Sequence, residues 1–422
     1  MKALVLGAGG REHALVYALK KSSFVDEVIA APGNGGISKM VEVFPLNPVN
    51  SKEVLELSLT QKVDIVVIGP EAPLVAGVAD MLRKEGIKVY GPGRAGAMLE
   101  GSKAFAKRFM NDCRIPTAPF DVCSSFDQAL EALKKRTPPF VIKADGLAAG
   151  KGAFIIDDTT EARNILDQLL VKGVLGEAGR TVVIEDFLAG YEITAMAITD
   201  GRTYRMLPLS QDHKRAYDSD KGPNTGGMGA YSPLPQVDDT LKAKIEDEVV
   251  KPTVEGLKRK GIDFRGTIYA GLMIHEDSPY VLEYNVRFGD PEAQVVIPIC
   301  DVDWGRIFVS CAGGNLEESA LINAARSGVG VVMASGGYPD KYETGYPIEG
   351  LDALEGRDDV IVFHSGTRME GGKFLTNGGR VLTVVGLADD LKEARDKAYR
   401  AISSITFKDA HYRRDIAWQA FV

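Results

Sequence analysis

Lys2-Ala-Leu-Val-Leu-Gly-Ala-Gly-Gly-Arg-Glu-His-Ala-Leu-Val-Tyr-Ala-Leu-Lys-Lys21 opens the chain and decides its fold class. Lys2–Leu6 is an apolar run of strand length, Gly7–Gly10 is a turn, and Arg11–Lys21 reads as a helix. Glu27–Ala31, Val63–Ile68 and Lys88–Tyr90 repeat the strand pattern, with helical stretches between them. A strand–helix–strand rhythm implies a parallel sheet with helices on both faces. The turn starts like a dinucleotide fingerprint and then departs from it. Glu12 stands at the third glycine position, and Ala30-Ala-Pro-Gly33 offers no acid to a ribose, which argues against NAD. Two readings stay open for the turn: an anion site at a helix N-terminus, or a tight turn without a ligand.

A second α/β unit follows. Ser102–Cys113 is a cation-rich helix, and Ile115–Pro119 a junction. Phe140–Lys143 and Ala153–Ile156 are predicted strands around a loop over Asp145–Gly152. Thr159–Val171 has helical spacing, and Arg180–Glu185 and Glu192–Ile198 are strands. Asp238–Lys260 is one amphipathic helix. Gly266–His275 and Pro279–Asn285 form a hairpin turning at Glu276–Ser278, and Pro291 onward is helical. A last segment carries strands at Val329–Ala334, Val360–His364 and Val381–Gly386, then a helix over Leu391–Ser403. Between these units lies Gln211–Ser232, QDHKRAYDSDKGPNTGGMGAYS, which reads as neither strand nor helix. A long loop in a compact domain is usually functional. Here Lys214 and Arg215 supply charge, Asn224 and Thr225 supply hydrogen bonds, and the glycines admit backbone N–H groups to a small anion.

The chain has 422 residues, enough for two to four domains, with 45% hydrophobic and 26% charged residues. A net charge of −8 argues against nucleic acid or an anionic membrane as the main partner. Cys113, Cys123, Cys300 and Cys311 form no CxxC pair, as expected of free thiols in a reducing cytoplasm. No signal peptide and no membrane span is expected.

Two motifs carry chemistry on their own. In FVIKADGLAAGKG, residues 140–152, Lys143 ends an apolar strand and Lys151 lies between Gly150 and Gly152. Such a loop can close over a triphosphate, although it is not a P-loop. The plain alternative is a surface hairpin with solvated lysines. In YVLEYNVRFGDPE, residues 280–292, strand alternation puts Glu283 and Asn285 on one face. Those oxygens suit Mg²⁺ together with substrate phosphates and water. Arg287 continues that face, and Asp290 follows in a turn. A structural Glu283–Arg287 ion pair is the plain alternative. Glu185 and Glu192 flank a short connector, where Glu192 can accept bonds from ribose hydroxyls or lie on an ordinary exposed strand face.

GAGGREHA (7–14), GPEAPL (69–74), KADGLAAGKG (143–152), DHKR (212–215), GPNTGGMGAYSP (222–233), YAGLM (269–273), NVRFGDPE (285–292), SGGYP (335–339) and GGRVL (378–382) together resemble the ATP-grasp superfamily. Within it they closely resemble the glycinamide ribonucleotide synthetase (phosphoribosylamine–glycine ligase) family, over the whole chain and in order. The resemblance implies an N-terminal Rossmann-like parallel sheet over 1–101 and a two-part ATP-grasp module over 102–315, with a lid at about 120–188. A C-terminal α/β domain over 326–422 completes it. It implies a carbon–nitrogen ligase of purine synthesis that joins glycine to 5-phosphoribosylamine with ATP and Mg²⁺ or Mn²⁺, as a cytoplasmic monomer.

The resemblance also implies residue roles. Lys103, Lys143, Lys151 and Gly152 hold phosphates, Glu185 and the Leu188 backbone line adenine, and Glu192 takes the ribose. Glu283 and Asn285 hold the metal. Arg287 steadies the phosphoryl group or the glycine carboxylate, and Asp290 the glycine ammonium. The acceptor's phosphate meets either the Gly9–Gly10–Arg11 turn or Lys214 and Arg215. Glu12, Asp212, Asn224, Thr225 and Gly226 join the substrate-binding set. Two segments depart from the family. Asp186 and Tyr191 stand where paired glutamates are usual, and Ala417, in the tail YRRDIAW, stands where glycine is usual. The tail is expected to be remote from the chemistry. A carboxylase of the same superfamily would share the lysines and the Glu/Asn pair but lack GPNTGGMGAYSP. A non-catalytic nucleotide-binding regulator would have lost Glu283, Asn285 or the loop lysines.

Overall fold

The computed structural model describes residues 1–146, 152–316 and 321–421. The opening βαβ rhythm produces a five-stranded parallel sheet. Its order is Glu42–Val43, Glu27–Pro32, Lys2–Gly7, Ile65–Ile68 and Lys88–Tyr90. The central strands are buried on both faces, as parallel strands covered by helices must be.

Two antiparallel four-stranded sheets make the middle of the chain. One runs Phe120–Cys123, Val182–Asp186, Phe140–Ala144, Ala153–Ile156. It has its own apolar cluster, including Phe140, Ile142, Ile184, Leu133 and Leu166, so it packs as a unit distinct from the larger cores. The other runs Tyr204–Met206, Tyr191–Thr199, Gly266–His275, Ser278–Asn285. Its hairpin turns through Glu276 and Asp277, both at positive φ, which is the geometry of a two-residue turn matched to strand twist. The predicted helix over Asp238–Lys260 forms in three pieces. A π-helical turn, Glu246–Val250, precedes Pro252, whose missing N–H an unbroken α-helical ladder would have required.

Gln211–Ser232 departs from its expectation. It contains four short strands. Arg215–Tyr217 pairs with Lys221–Asn224 as a separate ribbon. Gln211–Asp212 and Gly229–Ser232 enter a five-stranded antiparallel sheet with Ser327–Ala334, Arg380–Ala388 and Val360–His364. Gly229–Ser232 is buried throughout. Its glycine-rich lead-in hid a strand whose partner lies about a hundred residues further on, and β-structure depends on such context more than on local propensity.

Candidate active site

The two four-stranded sheets meet over a cluster of lysines and carboxylates. Val141 pairs with Glu185 across two antiparallel strands, so Lys143, two residues on, shares a face with that carboxylate. Lys143 Nζ lies 3.0 Å from Glu185 Oε1 and 3.1 Å from Oε2. It also donates to the Leu282 carbonyl at 2.9 Å. That carbonyl is available because Leu282 is the extra residue of a β-bulge: Val281 pairs with Leu272 and Glu283 with Gly271. A second lysine, which sequence reasoning missed, completes the pair. Lys107, from the helix Lys103–Cys113, is buried and lies 2.9 Å from Glu185 Oε2. It donates to Thr117 Oγ1 at 2.6 Å, and Thr117 donates in turn to the Val281 carbonyl. Burial lowers the Lys107 pKa to about 8 against the pull of Glu185.

Beyond the bulge, Glu283 and Asn285 share one strand face, as alternation predicts. Burial alone would raise the Glu283 pKa. Lys214, Lys143 and Lys103 together hold it below its ordinary value, so the carboxylate is ionised. Burial lowers Lys103, with Glu283 acting against it. Lys214 Nζ lies 2.5 Å from Glu192 Oε2, and its pKa is raised by Glu192 and Asp212 in spite of burial. Asp212 is raised by burial, with Glu292 and Glu192 adding to the effect against Lys214. Asn285 Oδ1 accepts from Arg287 at 3.0 Å.

Among the described residues, no three His, Cys, Asp or Glu side chains gather around one point. One ionised carboxylate and one amide oxygen beside three lysines is nevertheless a donor set that fits a hard divalent cation sharing its shell with phosphates and water.

Arginines dominate the other side. Arg287 lies 2.9 Å from Glu100 and 3.5 Å from Glu71, which belongs to GPEAPL. Its pKa is raised by these two acids despite burial. Arg287 is therefore paired with N-terminal acids rather than with Glu283. Arg11 donates to the Phe288 carbonyl at 3.2 Å and pairs with Glu12 at 2.5 Å. Glu12 in turn accepts from the Gly9 N–H at 2.5 Å and lies where a Cβ on Gly7 or Gly69 would sit, which is why both positions are glycine. Asp290 accepts from Gln294 at 2.7 Å and lies 3.3 Å from Arg380. Burial would raise the Asp290 pKa, and Arg380 and Arg11 bring it below the ordinary range. Arg380 also donates to the carbonyls of Gly226 at 2.6 Å and Asp290 at 2.8 Å. A Cβ on Gly10 would meet Gln294 and Ser365, so these segments close on one spot.

The remaining candidates are dispersed. Lys214 and Arg215 are neighbours in sequence and part company. Arg215 donates to the Gly222 carbonyl at 2.8 Å and lies outside the lysine cluster. Asn224 is exposed at the ribbon's end. Thr225 donates to the Lys214 carbonyl at 2.9 Å, and the Gly226 N–H donates to Tyr338. Leu188 is half-buried in the connector after Val182–Asp186. Asp186 is engaged by Arg136 at 2.8 Å. Lys151, with the run 147–151, lies outside the described residues, while Gly152 accepts from the Ala144 N–H at 2.7 Å. Besides Lys107 and Arg380, sequence reasoning missed a buried group in which Tyr269 donates to Glu292 at 2.8 Å and Thr194 donates to Tyr269 at 3.0 Å. YAGLM and GDPE were legible as motifs, but no local signal joined them.

A lysine-bearing antiparallel strand facing a hairpin that offers a glutamate and an asparagine is the arrangement of an ATP-grasp protein. Three family models match in series: the phosphoribosylglycinamide synthetase N domain over residues 1–100, its ATP-grasp (A) domain over 101–293 and its C domain over 328–419. The chain belongs to the phosphoribosylglycinamide synthetase family. It is 45% identical to a phosphoribosylamine–glycine ligase of Allochromatium vinosum, covering 100% of this chain and 99% of the relative. It is 42% identical to that of Caldanaerobacter subterraneus, covering 99% of both. The crystal structure of phosphoribosylamine–glycine ligase from Thermotoga maritima superposes with a TM-score of 0.88 at 37% identity, covering 99% of this chain and 100% of that one. The biotin carboxylase domain of Hydrogenobacter thermophilus 2-oxoglutarate carboxylase shares the fold, with a TM-score of 0.76 at 17% identity over 97% of this chain and 91% of that one.

Proposed function

We propose that this chain ligates glycine to 5-phosphoribosylamine at the expense of ATP, giving glycinamide ribonucleotide, ADP and phosphate in purine synthesis. Membership of the family supports the overall reaction, and the convergence of Lys103, Lys143 and Lys214 on Glu283 carries the assignment of where it occurs. A carboxylate is a poor acyl donor. A glycine carboxylate oxygen therefore attacks the γ-phosphorus, the bond to the β-phosphate oxygen breaks, and ADP leaves. The amine of phosphoribosylamine then attacks the acyl carbon of the glycyl phosphate. The carbon–oxygen bond to phosphate breaks, and the amine gives up a proton. Phosphoryl transfer of this kind needs positioning and charge neutralisation rather than a side-chain nucleophile.

Lys103 and Lys143 neutralise phosphate oxygens, with Lys143 aimed by Glu185 and by the bulge carbonyl of Leu282. Glu283 and Asn285 would hold Mg²⁺ or Mn²⁺, which supplies further positive charge to those oxygens when bound. Lys214 belongs to the phosphoryl-transfer side rather than to the acceptor side, because it pairs with Glu192 and neighbours Glu283. The acceptor lies toward Gly9–Arg11, Asp290 and Gly226, where the arginine network converges. No helix among the described residues is long and apolar enough to cross a membrane.

Phosphate release from ATP tests the reading. It should require glycine, and phosphoribosylamine should yield glycinamide ribonucleotide. Release driven by bicarbonate in place of glycine would identify a carboxylase instead.

A further inference from the structure

The tail after the last long helix does not stand apart from the site, contrary to the expectation from its sequence position. Arg413 is 0% exposed and ties that tail to the Arg215–Asn224 ribbon. Its Nη1 donates to Asp220 at 2.8 Å and to the Arg215 carbonyl at 3.2 Å. Its Nε and Nη2 hold Asp415 in a two-point pair, 2.8 Å each. Asp415 in turn accepts from the Ser219 N–H at 2.7 Å, and the Arg414 N–H donates to Asp218 at 2.8 Å. His411 meets the Ala216 carbonyl at 2.8 Å, and the Ala417 N–H donates to His213 Nε2 at 3.1 Å.

From His213 to Asp220, six of the eight residues are held by the tail. Lys214 lies within this stretch and turns from the tail toward Glu192. A two-stranded ribbon this short is marginal by itself. Ser219 and Asp220 sit at positive φ, a conformation that persists when its surroundings over-determine it, and the tail binds both. The tail is itself fixed to the helix Leu391–Ile402, since Tyr399 donates to the Arg413 carbonyl and accepts from the Ile416 N–H.

We propose that Arg413 is a positioning residue for phosphoryl transfer: through Asp220, Asp415 and the Arg215 carbonyl it locks the ribbon so that Lys214 stays on Glu192. Its bearing on catalysis rests on the placement of Lys214 proposed above; its bearing on the ribbon does not.

Hydrogen exchange on the intact chain and steady-state kinetics test the proposal, using Arg413→Met and the gentler Asp220→Asn, whose site is half-exposed. Amides of 213–224 should exchange about tenfold faster or more in both variants, while the Ser327–Ala334 strand is unchanged. In Arg413→Met, kcat for glycine-dependent phosphate release should fall roughly ten- to a hundredfold, the loss expected of a charge-assisted contact. The KM for glycine should stay within about twofold. Combined with Lys214→Met, Arg413→Met should cost nothing further. Unchanged exchange in 213–224, an equal rise in Ser327–Ala334, or multiplying losses in the double variant would overturn the proposal. If the wild-type chain shows no glycine-dependent release, the proposed reaction fails, and the exchange comparison still decides the lock.

Discussion

The two halves of the site use different cations. Lys103, Lys107, Lys143 and Lys214 surround the carboxylates of Glu185, Glu192 and Glu283 on the side proposed to take the nucleotide. Arg11, Arg287 and Arg380 meet Glu12, Glu71, Glu100 and Asp290 on the other. Lysine is a compact charge on a flexible stem, whereas the planar guanidinium fixes several partners at once. Arg287 joins the hairpin to the N-terminal segment, and Arg380 joins the C-terminal sheet to Gly226 and Asp290. In the proposed reaction the lysine half yields its contacts to incoming phosphates, while the arginine half holds three parts of the chain in register. Substitutions in the first should therefore cost turnover, and those in the second stability.

Glu283→Gln should show the largest effect. It removes the one ionised carboxylate facing the three lysines and one of the two proposed metal donors, while Lys143 keeps Glu185 and Lys214 keeps Glu192. A fall of ~10²–10³ in kcat is expected, as for loss of a transition-state stabiliser, with an unfolding midpoint close to wild type. Near-normal turnover at saturating Mg²⁺ would remove Glu283 from the metal site.

Arg287→Lys keeps the charge and loses the fork. It can no longer span Glu71, Glu100 and the Asn285 amide together. Leaving a buried acid imperfectly paired should cost ~2–3 kcal/mol in denaturant unfolding, somewhat less than removing a partner outright. A stability unchanged from wild type, with only kcat reduced, would collapse the distinction between the halves.

Acid should act at the joints between segments. Burial lowers the pKa of His13 to about 3, and of His213 and His364 to about 4. His13 Nδ1 accepts from the His364 N–H at 2.8 Å, a bond that protonation would abolish. In the unfolded chain each imidazole takes its proton near pH 6.5, and in the fold only well below that. The neutral rings thus contribute stability that is fully present above pH 6.5 and lost as pH falls toward 4. At pH 5 the loss is about 2 kcal/mol per histidine. Unfolding measured from pH 7 to pH 5 should show this slope, flattened in His13→Gln. A flat profile in the wild type would contradict it.

The lysine half was the more legible in sequence. Lys143 ended an apolar strand beside a glycine loop, and Glu283 and Asn285 kept their alternation because the bulge at Leu282 falls just before them. In the arginine half Arg11, Arg287 and Asp290 were legible as candidates, but most of their pairings and Arg380 were not, since those contacts are remote in sequence. Arg380 reaches Gly226 across 154 positions and Ala417 reaches His213 across 204. Glu12 filling the space of two glycines is likewise a packing fact, invisible to a motif that predicts only a turn. Periodicity reports which face a residue occupies; it does not report which distant segment covers that face.

Ala417 offers the smallest and cleanest test. It is buried, its φ is +66°, and its N–H donates to His213, next to Lys214. Left-handed backbone costs an L-residue with a Cβ ~1–2 kcal/mol, and glycine avoids that cost while losing some chain entropy on folding. Ala417→Gly should therefore stabilise the chain by a net ~0.5–1 kcal/mol, seen as a higher denaturant midpoint with an unchanged slope. Because the N–H is retained, the bond to His213 survives and kcat should not change. A destabilised Ala417→Gly would mean that the methyl group's packing outweighs its backbone strain. A lower kcat at equal stability would mean that the tail tunes the ribbon through this side chain, which would extend the positioning role from Arg413 to the end of the tail.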